Sequence, residues 1–380
     1  MVNNHFDYII IGNGLAGFQL AIALSKDPYF KNKHIALIDK DPKLTNDKTW
    51  CYWEKGSGKW DHLITQSWQT AYFYSSKKAI NLDLKPYTYK MLEAIHFYDE
   101  AKRILSKNKN ITCIVEAVIS VEAHTEVIVN TTETTYTATH VFDSRITPEF
   151  NDKKEAFITI AQHFKGWTIE TDTPVFDTNA FTMMDYRITH NNQTTFTYVL
   201  PITPKKALIE FTYFTKELVK DDVYDTFLKR YISEILKIEN YTITGVERGV
   251  IPMTTFPFNS YSTPKITKIG TAGGWVKGST GYSFKHTEKK VEQLLVNLKA
   301  NKSPSVGFFK KKYGFYDKVF LKVLLDHNTM GEWIFEQFYT KNPVQTMFKF
   351  LDEESNFKDE FKVMKSLFSL AFIKAFFKTL

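Results

Sequence analysis

The stretch ALIEFT, Ala207–Thr212, sets one glutamate inside an otherwise apolar run. Burying an ionised carboxyl strips its water, so Glu210 needs either a charge partner or a use for a retained proton. Strand alternation puts Leu208, Glu210, Thr212 and Phe214 on one face and Ile209, Phe211 and Tyr213 on the other. A carboxyl between Leu208 and Phe214 is expected to have a raised pKa and to stay protonated, the condition of a general acid. The alternative is an ion pair with Lys205 or Lys206 at a strand edge. From the residues alone the two are evenly matched. Two further carboxyls are candidates: Asp143, beside Arg145 in THVFDSR, and Asp185 in MMDY. Each has a plain structural reading, an ion pair for the first and a turn or strand-end aspartate for the second.

Something must position such an acid. DYIII (7–11) reads as a strand, followed by GNGLAG and the apolar helix FQLAIALS. A second strand, HIALID, ends on Asp39, with Lys40 next. Gly12, Gly14 and Gly17 thus have the G-x-G-x-x-G spacing of a dinucleotide-binding β-α-β unit: a tight turn, close approach of a pyrophosphate, and close helix–strand packing. The free N–H groups of the helix start, at Leu15 and Ala16, would take anionic oxygens, and Asp39 a ribose. From about 151 to 250 alternating strands predominate, interrupted by the helix DDVYDTFLKRYISEILK, as in an antiparallel sheet domain inserted into the nucleotide unit. KITKIGTAGGWVKGSTGYSF (265–284) then supplies a strand and a second glycine-rich loop docking a helix. The expected architecture is α/β. A discontinuous Rossmann-type nucleotide domain would comprise 1–80, 112–150 and 262–303, with a β-sheet substrate domain at 151–261 and a helical region at 304–380.

Composition narrows the class. The chain has 380 residues, enough for a sizeable core, and 16% aromatics, with 32 Phe and 20 Tyr, enough for an aromatic-walled cavity besides. The net charge of +7 comes almost entirely from Lys; arginine stands only at Arg103, Arg145, Arg187, Arg230 and Arg248, too few for nucleic-acid readout. No histidine spacing suits a metal, and no nucleophile elbow or Cys–His pairing suggests acyl transfer. Cys51 and Cys113 are expected as free thiols in the cytoplasm, because MVNNHFDYIIIGNG runs straight into a strand without a cleavable leader. No apolar run reaches the roughly 18 residues that cross a bilayer.

The order and spacing of TW at Trp50, DSR (143–145), QHFKGW (162–167), MMDY (183–186), LIEFT (208–212), GVIPM (249–253) and GTAGGWVKGSTGYSF (270–284) resemble the bacterial lycopene β-cyclases over nearly the whole chain. The resemblance implies a hydroxylase-like FAD fold and an isomerase (intramolecular lyase) with no net redox change. Reduced FAD would be kept so by NAD(P)H, and the ψ ends of lycopene would become β-ionone rings. It implies Glu210 as the acid, with Asp143 and Asp185 as further catalytic candidates. It also implies FAD contacts at Gly12, Gly14, Leu15, Ala16, Gly17, Asp39, Lys40, Trp50, Arg145, Gly273, Gly274, Gly278, Thr280 and Gly281. Trp50, Tyr52 and Trp53 would line the flavin or cavity, and KGSTG (277–281) would face the isoalloxazine. The chain departs from the family pattern in two places. Phe211 stands where a second acid is common, so that acid is expected from Asp143, Asp185 or the flavin; Trp53 stands where a histidine is expected.

Lycopene is insoluble in water, so membrane-surface contact is expected. In KSLFSLAFIKAFFKTL, helical spacing gathers Phe372, Ile373, Phe376 and Leu380 opposite Lys374 and Lys378. A packed helical bundle is the alternative. Two other functions compete: a flavin monooxygenase or prenyl reductase with true redox turnover, and a non-catalytic carotenoid-binding flavoprotein. Against the first, Gly270-Thr271 stands where flavin hydroxylases usually have Gly-Asp.

Overall fold

The computed structural model describes residues 4–380. The DYIII run lies in β1 (His5–Ile11), whose last three isoleucines are buried whichever face they take, as a central parallel strand requires. A glycine turn leads to α1 (Leu15–Lys26) and back through β2 (Ile35–Asp39). Next come β3 (Thr49–Lys55), β4 (Gln66–Trp68), β5 (Thr70–Tyr74), β6 (Ala79–Asp83), β7 (Tyr87–Glu93) and α2 (Ala94–Leu105). Beyond them lie β8 (Ile111–Val115), β9 (Val118–Ala123), β10 (Val127–Thr131), β11 (Thr135–Asp143) and α3 (Pro148–Lys153). The long middle segment holds β12 (Thr159–Glu170), β13 (Ala180–Asp185), β14 (Thr195–Thr203), β15 (Lys206–Thr215), α4 (Asp221–Glu234) and β16 (Thr242–Thr254). After β17 (Ile266–Lys268) and α5 (Phe284–Lys299), the chain ends in α6 (Lys311–Asp326), α7 (Gly331–Lys341), α8 (Val344–Leu351), α9 (Phe357–Ser366) and α10 (Leu370–Thr379).

The first sheet has the order β8-β2-β1-β11-β10-β9, with β17 also paired to β11. Strands β8, β2, β1, β11 and β17 run parallel, the dinucleotide-fold arrangement. The second sheet has the order β16-β12-β15-β14-β13-β5-β6, and β3-β7-β4 form a small third one. Because β11 and β17 neighbour each other, the chain between them is an insertion, as expected. Strand β5 and the first two residues of β6, which fall within the 1–80 stretch assigned from sequence to the nucleotide unit, join the second sheet instead. Their AYFY and AINL alternation marks them as strands but carries no information about which sheet they enter.

Each face of the second sheet has its own core. Ile209, Phe211 and Tyr213 pack under α4 with Tyr224, Leu228 and Tyr231. Leu208 and Phe214, on the other face, share a core with residues of α6, α7 and α8. The C-terminal helices are thus a lid over the face that carries Glu210. The KSLFSLAFIKAFFKTL stretch is two helices, broken at Leu367–Ser369, where Ser369 caps α10. Helix α10 packs through Ala375 and Thr379, and Phe372 lies against the core. Its exposed apolar side is therefore Leu370, Phe376, Phe377 and Leu380, rather than a face that includes Phe372.

Candidate active site

A cavity of about 670 Å³ extends from the β1–α1 glycine turn to the inner face of the second sheet. Gly14, Ala16, Ser144, Gly270 and Thr271 form part of its wall, and Phe196, Tyr198, Leu208, Glu210 and Phe214 another part. Glu210 is 8% exposed and takes part in no ion pair among the described residues, so the pairing with Lys205 or Lys206 is absent. Its Oε1 accepts one hydrogen bond, 2.6 Å, from Thr212 Oγ1. Burial, helped by the nearby Glu247 carboxyl and opposed by the Thr212 bond, pushes its pKa up to about 8. Glu210 is therefore a neutral acid near pH 7, held in a wall of aromatic rings.

The other two carboxyls lie outside this cavity. Asp143 is held by Arg145 Nε at 3.0 Å and Lys268 Nζ at 2.9 Å. Burial works to raise its pKa, but those cations outweigh it and hold it below the usual carboxylate range. It is an ionised strut between β11 and β17. Arg145, bound to it, does not reach the cavity wall, although the flanking Ser144 and Ile146 do. Asp185 is fully buried, accepting from Arg187 Nε at 2.9 Å and Tyr231 Oη at 2.7 Å. That couples β13 to α4 on the sheet's far face. Asp185→Asn should cost about 2–3 kcal/mol, less than a fully buried pair because Arg187 is partly solvated. Urea unfolding checks this, and an unchanged midpoint would contradict the strut role.

The glycine turn fits a dinucleotide phosphate. A Cβ on Gly17 would fall 1.8 Å from the Gly12 carbonyl oxygen, so only glycine permits this helix–strand approach. A Cβ on Gly14 meets no described atom within 4 Å, leaving open space at a helix start that has no side-chain cap. Asp39 Oδ2 accepts from Asn13 N at 2.8 Å and fixes the turn, and Lys40 follows it on the surface. Further along the cavity, Thr280 Oγ1, Gln162 Oε1 and Trp275 Nε1 are buried without a hydrogen-bond partner. Open backbone at one place and orphaned polar atoms at another are what an extended cofactor would satisfy.

Other expected contacts divide. Trp50, Leu15, Thr280 and Gly281 line the cavity; Gly273, Gly274 and Gly278 do not. Lys277 turns away to pair with Asp317 at 2.9 Å and Glu353 at 3.0 Å, because a buried ammonium needs carboxylates and the C-terminal helices supply them. Only Trp50 of the three aromatics reaches the cavity. Tyr52 stacks on Phe284 at 4.5 Å, and Trp53 stacks on Phe348 at 4.4 Å while donating to Asp352. Histidine's expected place is thus filled by a core tryptophan.

A family profile described as "Lycopene cyclase protein" matches residues 7–376. The chain belongs to the lycopene cyclase family. No curated protein sequence matches it. Among solved structures, a geranylgeranyl bacteriochlorophyll reductase-like protein from Thermoplasma acidophilum aligns over 99% of this cyclase-family chain and 100% of its own, at 12% identity and TM-score 0.64. A flavoprotein/dehydrogenase from Cytophaga hutchinsonii aligns over 98% of both chains, at 12% identity and TM-score 0.60. The flavin-dependent brominase Bmp2 aligns over 96% of this chain and 93% of its own, at 15% identity and TM-score 0.55. At such identities the likeness is one of fold.

The lycopene cyclase fold puts no carboxyl at position 211 but brings another one to this cavity. Phe211 packs under α4, stacked on Phe227 at 4.8 Å, so an acid there would face away from Glu210's cavity. Instead Glu247 of β16, unremarked in the sequence, lines the cavity. Thr49 Oγ1 donates to its Oε2 at 2.8 Å, so the TW pair contributes its threonine to this carboxylate as well as Trp50 to the wall. Burial pushes the Glu247 pKa up to about 7 despite that bond. It is strand register, absent from the sequence, that brings it here: Glu210 and Glu247 both pair with Gly166 of β12.

Proposed function

We propose that this chain is a lycopene β-cyclase, converting the ψ end groups of lycopene or a related acyclic carotenoid to β-ionone rings without net redox change. The observation that carries this reading is Glu210, a carboxyl neutral near pH 7, set among aromatic rings in the cavity that begins at the glycine turn. Water-exposed carboxylic acids are ionised at this pH, whereas Glu210 retains a proton for an alkene. Protonation of the terminal double bond gives a tertiary cation, which the next double bond attacks; loss of a ring proton completes the product. The faces of Tyr198, Phe196 and Phe214 stabilise the cation and exclude water that would trap it.

Gly14, the start of α1 and Asp39 would hold FAD at its adenine and pyrophosphate end, and Thr280, Gly281 and Trp50 would contact it further along. Held there and kept reduced by NAD(P)H, FAD would supply electron density that stabilises positive charge. Expression in lycopene-accumulating cells with pigment analysis tests the proposal. Cyclic carotenes are the expected result; unchanged lycopene with folded protein would refute it, and NAD(P)H consumed in proportion to product would point to a reductase or monooxygenase.

An apolar cleft of about 310 Å³ among the C-terminal helices supports delivery from a membrane surface. It shares Thr280, Phe335 and Leu351 with the larger cavity, and Phe368, Phe376 and Phe377 stand at its walls. Phe368 is 75% exposed and Phe377 69% exposed, unusual for large apolar side chains. No helix of the described residues is long and apolar enough to cross a membrane, which fits contact from one side. Replacing Phe368 and Phe377 together by Ser should weaken binding to anionic phosphatidylglycerol vesicles at least ~10-fold in a sedimentation assay. Unchanged binding would remove these residues from the membrane contact.

A further inference from the structure

Glu210 on β15 and Glu247 on β16 lie either side of β12, and each is paired in register with Gly166. In-register neighbours share a sheet face, so both side chains rise into the one cavity that both line. Their strands are two spacings apart, about 10 Å. Gly166 itself puts no side chain between them, and the space above it is shared with Leu208, whose Cδ1 would lie 3.0 Å from a Cβ there. A Cβ on Gly166 would come within 3.2 Å of Glu247 Cγ and 3.6 Å of Glu210 Cβ, so a larger residue here would crowd the stem of Glu247.

The two sites are built alike. Thr212 holds Oε1 of Glu210 and Thr49 holds Oε2 of Glu247. The second oxygen of each carboxyl has no hydrogen-bond partner, and neither carboxyl has an ion-pair partner, among the described residues. The buried structural carboxylates Asp143 and Asp185 are each paired with a cation, whereas Glu210, 8% exposed, and the partly buried Glu247 are not. Two carboxyls without a cation facing one cavity are a costly arrangement when both are ionised.

We infer that Glu247 is the base of the cyclisation, an assignment that rests on the cyclase reading and names the group it lacks. The Glu210 O–H bond breaks as its proton forms a new C–H bond at the terminal alkene. The π pair of the neighbouring alkene forms the ring C–C bond and moves the positive charge to a ring carbon. The adjacent ring C–H bond then breaks; its electron pair closes the ring double bond, and its proton goes to the Glu247 carboxylate. Glu210 ends ionised and Glu247 protonated. Loss of the proton from Glu247 and uptake of one by Glu210 restore the starting pair, so no proton or electron is consumed overall. Two groups serve better than one because the proton enters and leaves at different carbons. A single carboxyl would have to travel between them within the life of a tertiary cation.

The experiment compares wild type, Glu247→Gln and Glu247→Asp in lycopene-accumulating cells and with purified protein, reading both rate and product identity. Gln can still accept from Thr49, so the fold should persist. Glu247→Gln is expected to cyclise at least ~100-fold more slowly. Its residual product should shift toward rings with a displaced double bond or a hydroxyl, because a cation without its base loses another proton or captures water. Glu247→Asp should recover part of the rate and the wild-type product, which separates a missing base from a damaged fold. A Glu247→Gln enzyme giving the wild-type product at the wild-type rate would overturn the assignment while leaving the cyclase reading intact. A slowed variant whose product is unchanged and which Asp does not rescue would overturn it too, leaving Glu247 a structural role. Wild-type protein that forms no ring would overturn the cyclase reading and this assignment with it.

Discussion

Glu210→Gln is expected to abolish ring formation, by at least ~10³-fold, while the protein remains folded. The substitution removes the only transferable proton at that position but nearly preserves shape. Gln keeps an amide oxygen that can accept from Thr212, which now bonds Oε1 at 2.6 Å. The packing around it, Leu208 on one side and Phe214 on the other, is undisturbed. Pigment analysis of lycopene-accumulating cells, with thermal melting to verify folding, is the measurement. Undiminished cyclic product from Glu210→Gln would eliminate Glu210 as the acid. For the wild type, activity should fall as pH rises through about 8, where Glu210 loses its proton. Because Glu210 and Glu247 interact, the observed midpoint belongs to the pair rather than to either residue.

The second large effect is on stability, and its sign comes from the direction of the shift. In the unfolded chain Glu210 titrates near the ordinary 4.5; in the native state it titrates near 8. Between those values the native protein binds more protons than the unfolded one, so stability falls as pH rises across that window. The full contribution above pH 8 is on the order of 4–5 kcal/mol for this buried residue, and the raised pKa of Glu247 adds to it in the same direction. Glu210→Gln removes the titrating group. The variant should therefore be more stable than wild type at pH 8.5, by several degrees in Tm, and nearly equal to it at pH 5. Tm measured for both proteins across pH 5 to 8.5 tests this; parallel curves would mean that Glu210 is not held neutral by the fold. A residue whose loss stabilises the protein but ends its reaction is kept for chemistry, not for the fold.

Much of this was legible in the chain. The β-α-β unit was readable because glycine spacing, a buried strand and a terminal acid are all local features, and local geometry fixes their use. The insertion of a β-sheet segment between two parallel strands was readable from the change of hydrophobic period. Glu210 stood out because an acid between apolar neighbours on one strand face is itself a one-dimensional signal. Alternation also assigned Phe211 correctly to the opposite face, where an acid would be buried under α4, away from the cavity.

Other features depend on pairing across large sequence separations. Asp143 and Asp185 look as much like active-site acids as Glu210 does, and only their partners Lys268 and Tyr231 mark them as struts. Lys277 faces Asp317 and Glu353 rather than a cofactor because those carboxylates arrive with helices that come after it in the chain. The sequence by itself determined the nucleotide turn, the strand that carries Glu210 and the face on which it lies, since each depends on periods of a few residues. Only the tertiary structure decided which second carboxyl joins it. Glu247 lies 37 residues further along the chain and reaches the same cavity solely through the register of β15 and β16 on Gly166, a long-range fit that no local pattern encodes.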